Sequence, residues 1–470
     1  NIKMIQMVLK LTLITSFTFS VEMSPISQRY FHLDDSNSIK YSRGTYLIIL
    51  ADESLRSILE EESTGDFIHF KKTQGYDVDV VNIKDIAISG NIAEKLKLFL
   101  QNYYSSDPML EYVLLIGDVN GSYSVPGFTV GSYSYEEDDI TDYNYTFFNE
   151  DILSPNFFIG RWSIRSEDDL EKIKMRSIGY VTMKVPGSDF SLDPSYLNNA
   201  LVVGASFGGE DIRPVTPVWT QEWLMDKFYY HGYAKVDTAF WRKDGDSVDG
   251  APISNAWNAG IGLVGYRGWG GGLGWAYPDF RVSHLDELTN TWKLPIVFSF
   301  VCNTGDYATY DQCFAEKAIT AGSVNSPTGA VAVVGPSDKD TDTKFNNPMY
   351  GTVMDALLER KVTELGPALH AGKQSLIIEF GDLLAPEDNN WLKGTYAEFY
   401  HYVYNIIGDP SLPVWLDEPK AMNVNLDEGS NISSSYISVL ISDENSMPLS
   451  NVVGAILHNG ELIGKGLSNT

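Results

Sequence analysis

Cysteine is nearly absent from this chain: Cys302 and Cys313 are the only two in 470 residues. That excludes a disulfide-stapled scaffold and a cysteine-ligated zinc cluster. The seven histidines form no HExxH pair, so the commonest zinc-hydrolase signature is missing too. Basic residues are also short, 34 Lys and Arg against 62 Asp and Glu, a net charge of −28. Such a surface repels phosphate backbones and anionic bilayers, so no nucleic-acid partner is expected. No run approaches the ~18 apolar residues of a membrane span. Internal repeats and low-complexity tracts are lacking as well.

What remains is a globular composition, 43% hydrophobic and 13% aromatic, enough to bury a large core. At this length two or three domains are expected. The acidity suits a secreted protein and admits structural calcium in carboxylate-rich loops, although most such charge simply faces solvent. Lys3 and Lys10, the apolar run 11–19 and the small-residue pattern TFS at 18–20 read as a signal peptide over 1–20. The chain starts at Asn1 and stops at Thr470 within an expected strand, and so reads as a piece of something longer.

From residue 45 onward, β-rich apolar runs alternate with helical patterns, the mark of βαβ units and a mostly parallel sheet. Strands are expected at 46–50, 75–81, 112–116 and 156–161, with helices from 53, over 92–104, and over 167–183 behind Ser166 as N-cap. Pro186, Gly187, Ser188 and Pro194 mark a boundary near 185. The alternation then resumes, with strands at 200–204, 262–266, 295–301 and 329–334 and helices near 219–230 and from 314. Beyond 415 the short alternating segments 436–441 and 453–457 suggest a truncated immunoglobulin-like β-sandwich. In a parallel sheet, chemistry belongs at the carboxyl ends of strands.

Several segments resemble the gingipain family of cysteine peptidases. They are QGYDVDVV at 74–81, YVLLIGD at 112–118, FIGR at 158–161, FVCNTGDY at 300–307, CFAE at 313–316, PTGAVA at 327–332 and GDPSL at 408–412, in the family's order. The resemblance covers roughly 46–415. It implies an α/β fold of two subdomains, each with a mostly parallel sheet flanked by helices in the caspase-like manner. The division is then 1–20 signal peptide, 21–43 connecting segment, 44–185 subdomain A, 186–417 catalytic subdomain B and 418–470 the start of an immunoglobulin-like domain. It also implies cysteine-type endopeptidase activity on protein or peptide substrates, at a secreted or cell-surface location.

A cysteine peptidase needs a thiolate, a base and donors for an oxyanion. Cys302, just after an apolar strand, stands at the family's nucleophile position. Cys313, at a helix start, reads as structural. By resemblance the oxyanion donors are the backbone N–H groups of Gly270 and Cys302. The family's histidine lies in a Gly-His-Gly turn, but here GLVGYRGWG at 262–270 puts Trp269 there, and indole cannot accept a proton. The family's orienting glutamate position holds Phe207, in ASFGG at 205–209, with Glu210 and Asp211 close by. His284 is the nearest substitute base in sequence, in a stretch that otherwise reads as solvated surface. Arg267 is a candidate cation near the thiol, and Arg267 and Trp275 are candidate substrate contacts in the glycine-rich run 268–275. With no base, Cys302 is expected to titrate like a free thiol, near 8.5.

Gly204 to Gly208 also match the G-x-S-x-G elbow of serine hydrolases, but Pro214 and Pro217 interrupt the helix that an elbow requires. The sequence therefore supports a cysteine endopeptidase acting through the Cys302 thiolate. The alternatives are an impaired pseudopeptidase serving as a binding module and a structural surface component built on the same scaffold.

Overall fold

In a computed structural model of the chain, the described residues are 26, 43–132, 136–149, 152–206, 217–242, 248–380, 394–426 and 438–469. The expected signal peptide, nearly all of the connecting segment, Phe207, Glu210 and Asp211 lie outside them. The strands are β1 Thr45–Leu50, β2 Asp77–Asn82, β3 Leu110–Ile116, β4 Phe128–Gly131, β5 Asp138–Thr141, β6 Phe158–Trp162, β7 Asn199–Ser206 and β8 Lys235–Arg242. They continue with β9 Leu263–Arg267, β10 Gly270–Gly271, β11 Gly274–Ala276, β12 Asp279–Arg281, β13 Ile296–Ser299, β14 Ala332–Pro336 and β15 Tyr404–Ile407. Last come β16 Asn423–Leu426, β17 Val439–Ser442, β18 Val453–His458 and β19 Glu461–Leu467.

Ten strands form one sheet in the order β2-β1-β3-β6-β15-β14-β13-β9-β7-β8. The two parallel sheets expected from the sequence are thus joined edge to edge. The joint is β15, antiparallel to β14 and parallel to β6 through the single pair Ile407 and Arg161. Burial on both faces explains why β1, β3, β9 and β13 are wholly buried along their length. Alternate residues feed two cores: Val203, Val264 and Val297 go to one face, Val202, Leu263 and Phe298 to the other. On the first face lie helices Ile92–Ser106, Glu167–Thr182 and Phe314–Thr320; on the second, Pro217–Tyr230, Thr343–Leu358, Leu365–Glu379 and Tyr396–Val403.

The helices start where the sequence provides caps. The Asn91 side chain accepts from Glu94 N–H, and Ser166 from Asp169 N–H ahead of three acidic first-turn residues that suit the helix dipole. A buried ion pair ties the beginning of the domain to its end: Lys71 Nζ lies 2.6 Å from Asp409 Oδ2, both almost fully shielded. Asp409 also accepts from Tyr46 Oη at 2.8 Å and Ser411 Oγ at 2.9 Å. At the C-terminal end, β16–β17 and β18–β19 are two small antiparallel ladders. No helix of the described residues is long and apolar enough to cross a membrane.

Candidate functional site

The carboxyl ends of β9 and β13 bring Trp269 and Cys302 to one edge of the sheet. Tyr266 and Ser299 are register partners, and Trp269 and Cys302 each follow three residues later. The Cys302 loop is fastened to the neighbouring strand end: Asn303 N–H donates to Asp338 C=O at 2.7 Å and Gly305 N–H to Pro336 C=O at 2.9 Å. Gly305 is needed for this approach, because a Cβ there would lie 2.6 Å from Gly335 O. Asn303 takes φ 24°, an unfavourable value for a non-glycine residue, directly after the cysteine.

Gly270 packs beside this loop. A Cβ on it would be 3.1 Å from Val301 Cγ1, so a larger residue would press on the segment that holds Cys302. Ala276 N–H donates to Trp269 C=O at 2.8 Å, which makes Gly270 and Trp275 a non-hydrogen-bonded pair. In such a pair the amides point away from the partner strand, leaving the Gly270 N–H directed away from β11.

Trp269 itself is 37% exposed, its ring edge-on to Tyr277 at 5.7 Å, and Tyr277 in turn lies 4.5 Å from Trp241. The loop is anchored from below by Tyr266, whose hydroxyl bonds Trp269 C=O at 2.6 Å and Tyr277 C=O at 2.9 Å.

The two expected substrate contacts are not surface groups. Trp275 is fully buried, stacked on Tyr266 at 4.4 Å, and its indole N–H donates to Ser299 Oγ at 2.9 Å. Arg267 is buried as well, donating to Asn347 Oδ1 at 2.8 Å and to Phe300 C=O. Glycine-rich text suggested an open loop, but strands β10–β12 fold Trp275 back under it. Trp269, Tyr277 and Trp241 therefore offer aromatic surface at this edge, as does the half-buried Tyr310, whose ring packs on Gly272.

The thiol is neither ordinary nor activated. Cys302 keeps some contact with solvent, yet burial pushes its thiol up to about 12, reinforced by the charges of Asp338 and Asp340 and opposed by hydrogen bonding to Thr341. This corrects the expectation of a free-thiol value. Burial is the larger cause and the two carboxylates add to it, while Arg267, the cation expected near the thiol, does interact with it from beneath the loop. Among the described residues no imidazole is one of the groups that act most on this thiol. His284 is held elsewhere, its Nδ1 accepting from Arg281 N–H at 2.9 Å. His370 and His401 are buried against each other, ring centroids 6.4 Å apart.

Cys313 is free and buried, as a structural residue should be. It caps helix Phe314–Thr320, and its N–H donates to Glu316 Oε2 at 2.7 Å.

Beside the thiol, the β4–β5 hairpin lays Asp139 against Asp338, and burial, the first cause for both carboxyls, raises them, with Glu137 adding like charge. This acidic pairing was not legible in the sequence, where its members stand about two hundred residues apart.

The profile described as "Peptidase family C25" matches residues 40–415. Gingipain R1 of Porphyromonas gingivalis is 24% identical over 452 residues, covering 91% of this chain and 40% of that protein. Gingipain R2 of Porphyromonas gingivalis strain W83 is 25% identical over 425 residues, covering 87% of this chain and 51% of that protein. The chain therefore spans about half or less of the length of these relatives. The crystal structure of the Arg-specific cysteine proteinase gingipain R (RGPB) superposes with a TM-score of 0.74 at 22% identity, covering 91% of this chain and 90% of that one.

Proposed function

The chain belongs to peptidase family C25, the gingipain-type cysteine peptidases, and on that premise we propose that this domain binds polypeptide at the sheet edge that carries Cys302 without cleaving it efficiently. Family and fold support a cysteine endopeptidase domain. The observation that carries the finer reading is the placement of Trp269, whose indole cannot accept a proton, at the strand end adjoining that of Cys302, with burial and two carboxylates pushing the thiol up as well. In this proposal Trp269 and Phe207 stand at the family's histidine and glutamate positions. Loss of a general base alone costs about 10²–10⁴-fold in rate. The oxyanion donors are the N–H groups of Gly270 and Cys302. Trp269, Tyr277 and Trp241 supply a half-exposed aromatic rim that suits apolar or aromatic side chains of a bound peptide. The proposed location is outside the cell or on its surface.

The test compares the unmodified protein with Cys302→Ala in two assays, binding of labelled peptides by fluorescence polarisation and hydrolysis of casein. Equal binding by both proteins, with no hydrolysis above the variant's background, is expected. Hydrolysis by the unmodified protein that disappears in Cys302→Ala would instead establish a working endopeptidase acting through the thiolate. Absence of peptide binding in both would remove the binding role.

A further inference from the structure

We propose that Glu137, Asp139 and Asp338 form a calcium site that pins the β4–β5 hairpin to the end of β14. One ligand oxygen from each of the three residues lies within 4.8 Å of the others. Two ligands on opposite sides of a calcium ion, each at ~2.4 Å, would have that span. Asp338 is fully buried and Asp139 is 4% exposed. Asp139 Oδ2 receives no hydrogen bond from any donor group among the described residues, and the carboxyl lies in hydrogen-bond contact with the Asp338 carboxyl instead. Two buried anions in contact are costly unless a proton or a cation lies between them.

The surroundings favour a cation. Asp338 is oriented by donors on both oxygens, Asp340 N–H on Oδ1 at 2.8 Å and Ser132 Oγ on Oδ2 at 2.8 Å, as outer-shell groups orient a metal ligand. Lys339 Nζ pairs with Glu137 at the rim, and its backbone N–H donates to Glu137 Oε1 at 3.4 Å, so the lysine's charge meets the outermost carboxylate and the two inner ones face each other. Every candidate ligand is oxygen, which selects a hard cation, and a cage of protein carboxylates suits calcium better than magnesium, which keeps most of its waters. Ser337 Oγ donates to Ile140 C=O at 2.7 Å, so hairpin and strand end are already in contact and the ion would complete the joint. The site is independent of whether Cys302 cleaves anything.

The experiment titrates calcium chloride into chelator-stripped protein at pH 7.5 by calorimetry and follows thermal unfolding alongside. The unmodified protein should take up one more calcium equivalent than Asp139→Asn, and at 100-fold excess over Kd should gain roughly 3–6 °C in Tm that the variant does not. Equal stoichiometry in the two proteins overturns the proposal. A shared proton in place of the ion would appear as no calcium uptake together with a higher metal-free Tm for Asp139→Asn, and would also overturn it. Should that variant fail to fold, Glu137→Gln, altered at the rim, should weaken this calcium equivalent by at least about tenfold. Unchanged affinity there refutes the site.

Discussion

The sharpest consequence of the site is kinetic, and it concerns alkylation of Cys302. A thiol titrating near 12 is ionised about 3,000-fold less at pH 7 than a free cysteine at about 8.5. The more basic thiolate attacks faster, and a Brønsted slope of about 0.4–0.5 returns some 30-fold. The net expectation is alkylation roughly 100-fold slower than that of an exposed cysteine. The assay is iodoacetamide modification between pH 6 and 10.5 in the presence of a chelator, read by intact mass and peptide mapping. The rate at Cys302 should rise tenfold per pH unit through at least pH 10, with no plateau near 8.5. Cys313, fully buried, should stay unmodified until the protein unfolds. Asp338→Asn removes the largest charge acting on the thiol, so it should lower the titration midpoint and speed reaction at pH 7. The midpoint should still remain above a free thiol's, because burial persists. A fast, pH-independent rate between pH 5 and 7 in the unmodified protein would refute the reasoning, since it would require a base or cation that pairs with the thiol.

Trp269→His should raise alkylation at pH 6–7 at least tenfold by allowing an imidazolium–thiolate pair, whereas casein hydrolysis should rise less, and an unchanged alkylation profile would show that position 269 does not face the thiol. Lys71→Met should destabilise the domain by about 3–5 kcal/mol in urea unfolding, because it strands Asp409 as a shielded charge; a loss under about 1 kcal/mol would contradict this. Burial lowers His370 to about 3 and drives His401 down as well. Both are therefore neutral in the fold, while the unfolded chain takes up their protons below about 6.5. Stability should thus fall as pH drops from 6.5 toward 3, and His370→Phe should remove up to one proton, about 1.4 kcal/mol per pH unit, from that slope. Unfolding curves at pH 7, 6 and 5 measure it.

The sequence alone determined most of the sheet and the address of Cys302. Buried parallel strands need unbroken apolar runs, and those runs sit at β1, β3, β7, β9, β13 and β14 within a residue or three of where reading placed them. Family motifs then located Cys302, Gly270 and Trp269 at strand ends. β15 was missed because its four residues continue directly from helix Tyr396–Val403 and carry no turn signal, yet it is the strand that merges two sheets into one. Trp275 and Arg267 were misread as substrate contacts for a related reason: glycine content signals a loop but does not say which side chains fold beneath it, and that depends on the β10–β12 pairing. The ionisation of Cys302 could not be read at all. It is governed by burial and by Asp338 and Asp340, which only the register of β13 against β14 brings to the thiol, and the same packing sets Asp139 of a distant hairpin against Asp338. Local pattern fixes which segments are strands, whereas the field at a side chain is a sum over neighbours that chain distance does not predict.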